Sequence, residues 1–325
     1  MGGGKSLKIK NIFYTFSVVM LFFGMVYFIS FDITEQPTQS VYTKISVITR
    51  ETNSDCIVNL QQGIEQAELD LDVEISLVTL TEQNNAQEQQ NLIQRELNSG
   101  AQAIVITPID DEALSKTIEE TAKKIPIIAM GSTIKNGISD SVLGQDEKMG
   151  QELGRRIFYK GIFDKKILIL QSSQNCDAIQ KREKGLHSVL EKRAESIVTK
   201  PVTLSADTSQ YLETIIYETQ PDIIVALEPT ILDITAETIQ NMQKKHIAIY
   251  GFGMTTKTPS YIEKNMITTA VIQNDFNLGY LSIRSAMQAL GKIENKQQGE
   301  IDYALVNGYN MYTKENQRLL FPFVR

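Results

Sequence analysis

Apolar positions in this chain alternate between two rhythms. Short β-branched and aliphatic runs at Ile45–Ile48, Val73–Leu80, Ala103–Thr107, Ile125–Met130 and Val142–Leu143 predict strands. Between them, Cys56–Leu69, Asn85–Asn98 and Asp110–Lys124 carry apolar residues three and four apart, the spacing of a helix with one buried face. Ser99-Gly100 and Pro126 stand where helices should stop. A second set follows, with strands near Lys166–Leu170, Ile197–Thr203, Ile223–Leu227, Ile247–Tyr250 and Thr268–Ile272. Its helices are expected at Glu147–Phe158, Ala178–Arg193, Ser209–Thr219 and Ile231–Lys244, before a last helix Asn277–Leu290 and a strand Tyr303–Val306. Strand–helix alternation of this kind requires parallel sheets covered by helices on both faces, so the expected fold class is α/β with two similar lobes. Ligands of such sheets bind beyond the carboxyl ends of the strands, which points to one cleft between the lobes. The strand ends facing it are Arg50–Asp55, Gly131–Thr133, Ser172–Asp177, Glu228–Thr230, Gly251–Met254 and Gln273–Asp275.

The first residues follow neither rhythm. Ile12 to Phe31 is a run of 20 residues without a charge, preceded by Lys5, Lys8 and Lys10 and followed by Asp32 and Glu35. At about 1.5 Å per residue it spans roughly 30 Å, the thickness of a bilayer core. The run is longer than a signal-peptide core, and Tyr27 to Asp32 offers no small-x-small cleavage site, so an uncleaved anchor at 12–31 is expected. By the positive-inside rule residues 1–11 form a cytoplasmic tail, and residues 32–44 link the membrane to a domain on its outer side. Gly4-Lys5-Ser6 only echoes a phosphate-binding loop, because neither the earlier glycine nor a preceding strand is present.

Composition removes several functions. The 325 residues carry 32 basic and 39 acidic groups, and setting aside the three lysines of the first 31 residues leaves 29 against 39. That sign is wrong for holding nucleic acid by phosphate neutralisation. Two cysteines, Cys56 and Cys176, and two histidines, His187 and His246, build neither a zinc site nor a disulfide framework, and no cofactor motif is present. Cys176 at a strand end reads as a small cleft or core thiol rather than a nucleophile.

Several pieces carry a family resemblance. They are Gly63 in the first long helix, Gly100-Ala101 before Ala103–Ile106, and Ile125-Pro126-Ile127-Ile128. Asp146 followed by Gly150, Arg182-x-x-Gly185-Leu186, Pro221-Asp222, Gly251-Phe252, and Gln273 before Gly279 complete them. In this order, over residues 45–315, the chain resembles the type 1 periplasmic binding proteins, in particular the ribose-binding-like sugar receptors. The resemblance implies hinge crossings near Val142–Gln145, Ile272 and Gly299–Tyr303. It implies an N-terminal lobe of 45–144 and 273–300 and a C-terminal lobe of 145–272 and 301–325. It also implies that Asp146, Arg182 and Gln273 hydrogen-bond a ligand, with Phe252 as the retained aromatic. A guanidinium and a carboxylate desolvated in a closing cleft make strong charge-assisted bonds to hydroxyls. Three usual sugar contacts are absent. Cys56 and Ile57 stand where the family has aromatics, and Gly131 and Gly253 stand where it has aspartates. Arg50, Asn53, Ser54, Ser132, Thr230 and Asn274 are the polar groups nearby that could substitute.

The expected function is therefore a membrane-anchored receptor that presents a captured small polar ligand, a monosaccharide, to a membrane permease of an ABC transporter. A dedicated sensor subunit for a membrane histidine kinase is the alternative, and an extracytoplasmic enzyme on this fold a remote one. A sugar-responsive repressor would need a DNA-binding segment where this chain has its apolar run.

Overall fold

A computed structural model describes residues 16–25, 27, 42–159, 164–172, 175–294 and 299–321. Residues up to Tyr42 and residues from Thr43 onward form two separate units. In the first, residues 16–25 are helical (α1) with exposed side chains. No helix among the described residues is long and apolar enough to cross a membrane. The remainder of the expected 12–31 anchor lies outside the described residues, apart from Tyr27, as do the tail and most of the linker.

The second unit holds two sheets. In the first, β1 (Thr43–Ile48) lies between β2 (Val73–Val78) and β3 (Ala103–Ile106), followed by β4 (Ile127–Met130) and the short β5 (Asp140–Val142), all parallel in the order 2-1-3-4-5. Ile45, Val47, Ile48 and all of β3 and β4 are wholly buried, which is why these strands read as unbroken apolar runs. Helices α2 (Val58–Leu71), α3 (Ala86–Asn98) and α4 (Asp111–Ala122) connect them. α5 (Asp146–Tyr159) then opens a second set with the same winding. Its sheet runs β7 (Ser196–Pro201), β6 (Lys166–Gln171), β8 (Ile223–Ala226), β9 (Ala248–Phe252), β10 (Thr269–Gln273) and β11 (Tyr303–Val306), with β11 antiparallel to β10. α6 (Asp177–Leu190), α7 (Thr208–Thr219), α8 (Pro229–Asn241) and α9 (Thr258–Glu263) lie between these strands. α10 (Asp275–Ala289) and α11 (Lys314–Leu320) come after β10 and β11.

α10 follows a strand of the second sheet yet packs on the first, with Leu278, Ile283, Ala286 and Met287 in one core with Ile45, Ile64 and Ile128. Ile301 belongs to that core too, whereas Val306, Met311 and Leu320 return to the second lobe. The chain thus crosses between lobes three times, between β5 and α5, at Asn274, and between Ile301 and Tyr303. The crossings are tied to one another: Asn274 N donates to Asp302 O at 2.8 Å, and Gln145 Nε2 donates to Ile301 O at 3.4 Å.

One helix pair in each lobe meets backbone to backbone. A Cβ on Gly150 would sit 2.3 Å from Arg182 O, and one on Gly185 would sit 2.1 Å from Glu147 O, so α5 and α6 approach as only glycine allows. α2 and α10 repeat the device, with Gly63 against Phe276 O and Gly279 against Leu60 O.

The structure differs locally from the sequence pattern. The helix expected from Cys56 begins at Val58, because Ser54–Cys56 form a 3-10 turn whose Asn53 Oδ1 accepts from Asp55 N. The strand expected at Val142–Leu143 begins instead at Asp140, a half-exposed edge too polar to register as an apolar run. α9 and α11, of 6 and 7 residues, are too short for a helical period to show.

In α8 the Asp233 carboxylate is buried and accepts from the hydroxyls of Thr255 and Thr258. Burial pushes its pKa up to about 6, with the two hydroxyl bonds opposing. Its folded pKa lies above its unfolded one, so it contributes most below about pH 4 and loses that contribution as pH rises through about 6. Relative to wild type, Asp233→Asn should gain on the order of 2 kcal/mol of unfolding free energy between about pH 4 and pH 8. Urea titrations at the two pH values check this, and a pH-independent difference would contradict it.

Candidate functional site

The carboxyl ends of both sheets face each other, and the lobes are closed on one another. Arg50, two residues past β1, reaches from the first lobe into the second with only 10% of its side chain exposed. Its Nη2 lies 3.2 Å from Glu228 Oε1, its Nη1 donates to Cys176 Sγ at 3.2 Å, and its Nε lies 3.3 Å from Glu51 Oε1. Glu228, placed between β8 and α8, also accepts from the amide and hydroxyl of Ser172 at 2.6 and 2.5 Å. Further bonds stitch the cleft: Ala178 N donates to Ser132 Oγ at 3.2 Å, Leu204 N to Gln83 Oε1 at 2.7 Å, and Cys56 Sγ lies 3.0 Å from Thr230 Oγ1.

Beneath these contacts lies a cavity of about 110 Å³. Its polar walls are Arg50, Glu51, Ser132, Arg182, Gln273 and Asp275, and its apolar walls include Ile57, Phe252 and Leu278. Arg182 on α6 is fixed on three sides. Its Nε donates to Asp146 Oδ1 at 2.7 Å, its Nη1 to Leu227 O at 2.9 Å, and its guanidinium lies 5.4 Å from the centre of the Phe252 ring. Gln273 Nε2 donates to Asp275 Oδ1 at 3.1 Å. A second hollow of about 310 Å³ adjoins the first and shares Cys56, Met254 and Asp275 with it, and is also lined by Val58, Leu320 and Phe321.

Burial sets the electrostatics here. It works against the Arg50 charge, but Cys176, Glu228 and Glu51 more than offset it, and the guanidinium holds its proton more firmly than usual. Burial raises the Glu51 carboxyl above its ordinary value against the pull of Arg50. It pushes Asp275 up to about 6 against the Gln273 bond and the Arg182 charge. The Cys56 thiol is pushed upward by burial, so it is no nucleophile near neutral pH. No group of three or more metal-ligating side chains is assembled among the described residues.

Residues 45–294 match the periplasmic binding protein domain family. The chain belongs to it. It is a binding protein and not an enzyme, with the fold of the sugar-binding receptors of ABC transporters. The ABC transporter periplasmic-binding protein YphF of Escherichia coli is 24% identical over 233 residues, 66% of this chain and 69% of that protein. Among solved structures, a carbohydrate transporter solute-binding protein from Agrobacterium radiobacter in complex with D-arabinose superposes with a TM-score of 0.78 at 18% identity, covering 87% of this chain and all of that one. The XylFII–LytSN complex superposes with a TM-score of 0.74 at 16% identity, covering 83% of this chain and 99% of that one.

Within this periplasmic binding fold the expected site residues divide into groups. Arg182, Gln273, Phe252 and Ser132 line one cavity. Asp146 stands behind it, buried, holding Arg182 from α5 of the same lobe. Thr230 borders a narrower crevice beside Arg50 and Glu51. Asn53 caps the 3-10 turn and Ser54 is exposed, and neither lines the cavity. Glu51 and Asp275, which do line it, fall within the strand-end stretches Arg50–Asp55 and Gln273–Asp275 without having been named as ligand groups. Phe252 is 1% exposed and its ring is occupied by Arg182, so it serves core and cavity together.

Proposed function

We propose that this chain is an extracytoplasmic, membrane-anchored receptor that captures a monosaccharide between its lobes and presents the closed form to an ABC permease. The observation that carries the reading is the closed cleft itself, in which fixed donors and acceptors from both lobes, Arg182 and Gln273 on one side and Glu51, Ser132 and Asp275 on the other, converge on one small cavity. A polyhydroxylated ligand bonding both lobes binds the closed form preferentially, and that difference shifts the open–closed population. The lobes of this reading follow the bounds expected from the sequence except that Gln273, the last residue of β10, stays with the C-terminal lobe and Ile301 with the N-terminal one, and the anchor is 12–31. Attachment holds the receptor near its membrane partner at high effective concentration. A dedicated sensor subunit is the second reading, favoured by the likeness to the XylFII–LytSN complex.

Residues 43–325 hold both sheets and suit the test. Thermal shift against a panel of monosaccharides should find a stabilising ligand, and scattering should show a smaller radius of gyration when it saturates. Binding with an unchanged radius would remove closure as the signal. Deleting residues 1–31 in cells should abolish the response while leaving binding intact; whether sugar uptake or a transcriptional response is lost separates permease from sensor.

A further inference from the structure

The charges around the cavity do not balance. Two guanidiniums, Arg50 and Arg182, meet four carboxylates, Glu51, Asp146, Glu228 and Asp275. Both cations are already engaged within the protein, Arg50 by Glu228, Cys176 and Glu51, and Arg182 by Asp146 and the Leu227 carbonyl. The surplus is therefore negative, and it faces the cavity. Glu51 has only a share of Arg50, and the Asp275 carboxylate receives one hydrogen bond among the described residues, from the neutral amide of Gln273. The adjoining hollow adds an acceptor without charge, since Gln62 Oε1 on its wall is buried with no hydrogen-bond partner among the described residues. Asp275 stands where the two spaces meet, accessible from both.

A neutral sugar can give such acceptors hydroxyl hydrogens but leaves the surplus charge uncompensated. Desolvated carboxylates favour a ligand that brings a positive charge with its donors. We propose that the ligand is a sugar or polyol bearing a protonated amine, with the ammonium seated at Asp275 and within reach of the field of Glu51. This rests on the sugar-receptor reading above and narrows it. The raised pKa of both carboxylates agrees with it, because burial without a full cation partner is what raises them.

The test is titration calorimetry on the full-length protein in detergent near neutral pH. The probes are neutral hexoses and pentoses, their amino counterparts such as D-glucosamine and D-galactosamine, and the N-acetylated forms, which keep the bulk and lose the charge. An amino sugar should bind about tenfold or more tightly than its neutral parent, the range of a charge-assisted bond, and its N-acetyl form no better than the parent. Asp275→Asn should bring amine and parent to parity, and Glu51→Gln should reduce the preference by a smaller factor. A neutral sugar that binds as tightly as its amine, or more tightly, overturns the amine inference and leaves the sugar receptor standing. If no member of any of the three sets binds, the sugar reading falls, and this inference with it.

Discussion

Arg182→Ala should weaken ligand binding by about 2–4 kcal/mol and lower unfolding stability by about 3–5 kcal/mol in one step. Arg182 does two jobs from one position. Its guanidinium borders the cavity, and its Nε is held 2.7 Å from the carboxylate of Asp146, a residue only 4% exposed. Removing the arginine strips the ligand of a charged donor and leaves Asp146 buried without its cation, and an orphaned buried charge costs more than the pair was worth. Asp146→Ala in the same background should restore part of the stability but none of the affinity. Calorimetry and urea unfolding on the two variants check this, and an Arg182→Ala protein that binds like wild type would remove Arg182 from the site.

The second large effect is expected at Gly185→Val, with a loss of about 3 kcal/mol or more. A Cβ there would stand 2.1 Å from the Glu147 carbonyl oxygen, a contact no rotamer relieves because the obstacle is backbone. α5 and α6 must move apart, and these are the helices that carry Asp146 and Arg182, so affinity should fall with stability. Gly299→Ala, where a Cβ meets nothing within 4 Å, should lie within about 0.5 kcal/mol of wild type. Chemical unfolding of both variants decides the matter, and equal stabilities would show that the helix pair is looser than its geometry.

Much of the architecture was legible because the central strands are covered on both faces and appear as continuous apolar runs, Ala103–Ile106 and Ile223–Ala226 being the clearest. Edge strands and short helices were not, since β5 is half polar and α9 and α11 make less than two turns. Arg182 and Gln273, singled out through family spacing, line the cavity. The Asp146–Arg182 partnership was not visible, because 36 residues separate the two and only the glycine contact between α5 and α6 brings them together. Asn53 and Ser54 do not line the cavity, and the 3-10 turn that spends the Asn53 side chain on its own backbone is a feature no alternation pattern expresses. The stretches holding Glu51 and Asp275 were placed at the cleft, but the two carboxylates were not named as ligand groups, since acidic residues beside strand ends usually face solvent.

The two glycine-welded helix pairs sit directly downstream of two of the crossings, α5 after Gln145 and α10 after Asn274. With helices packed this closely at the crossings, motion in those few linking dihedrals would turn each lobe largely as one body. Opening at those crossings would then leave the interior of each lobe largely unchanged. A partner touching a patch on either lobe far from the ligand would meet a change in the lobes' relative orientation rather than a local rearrangement.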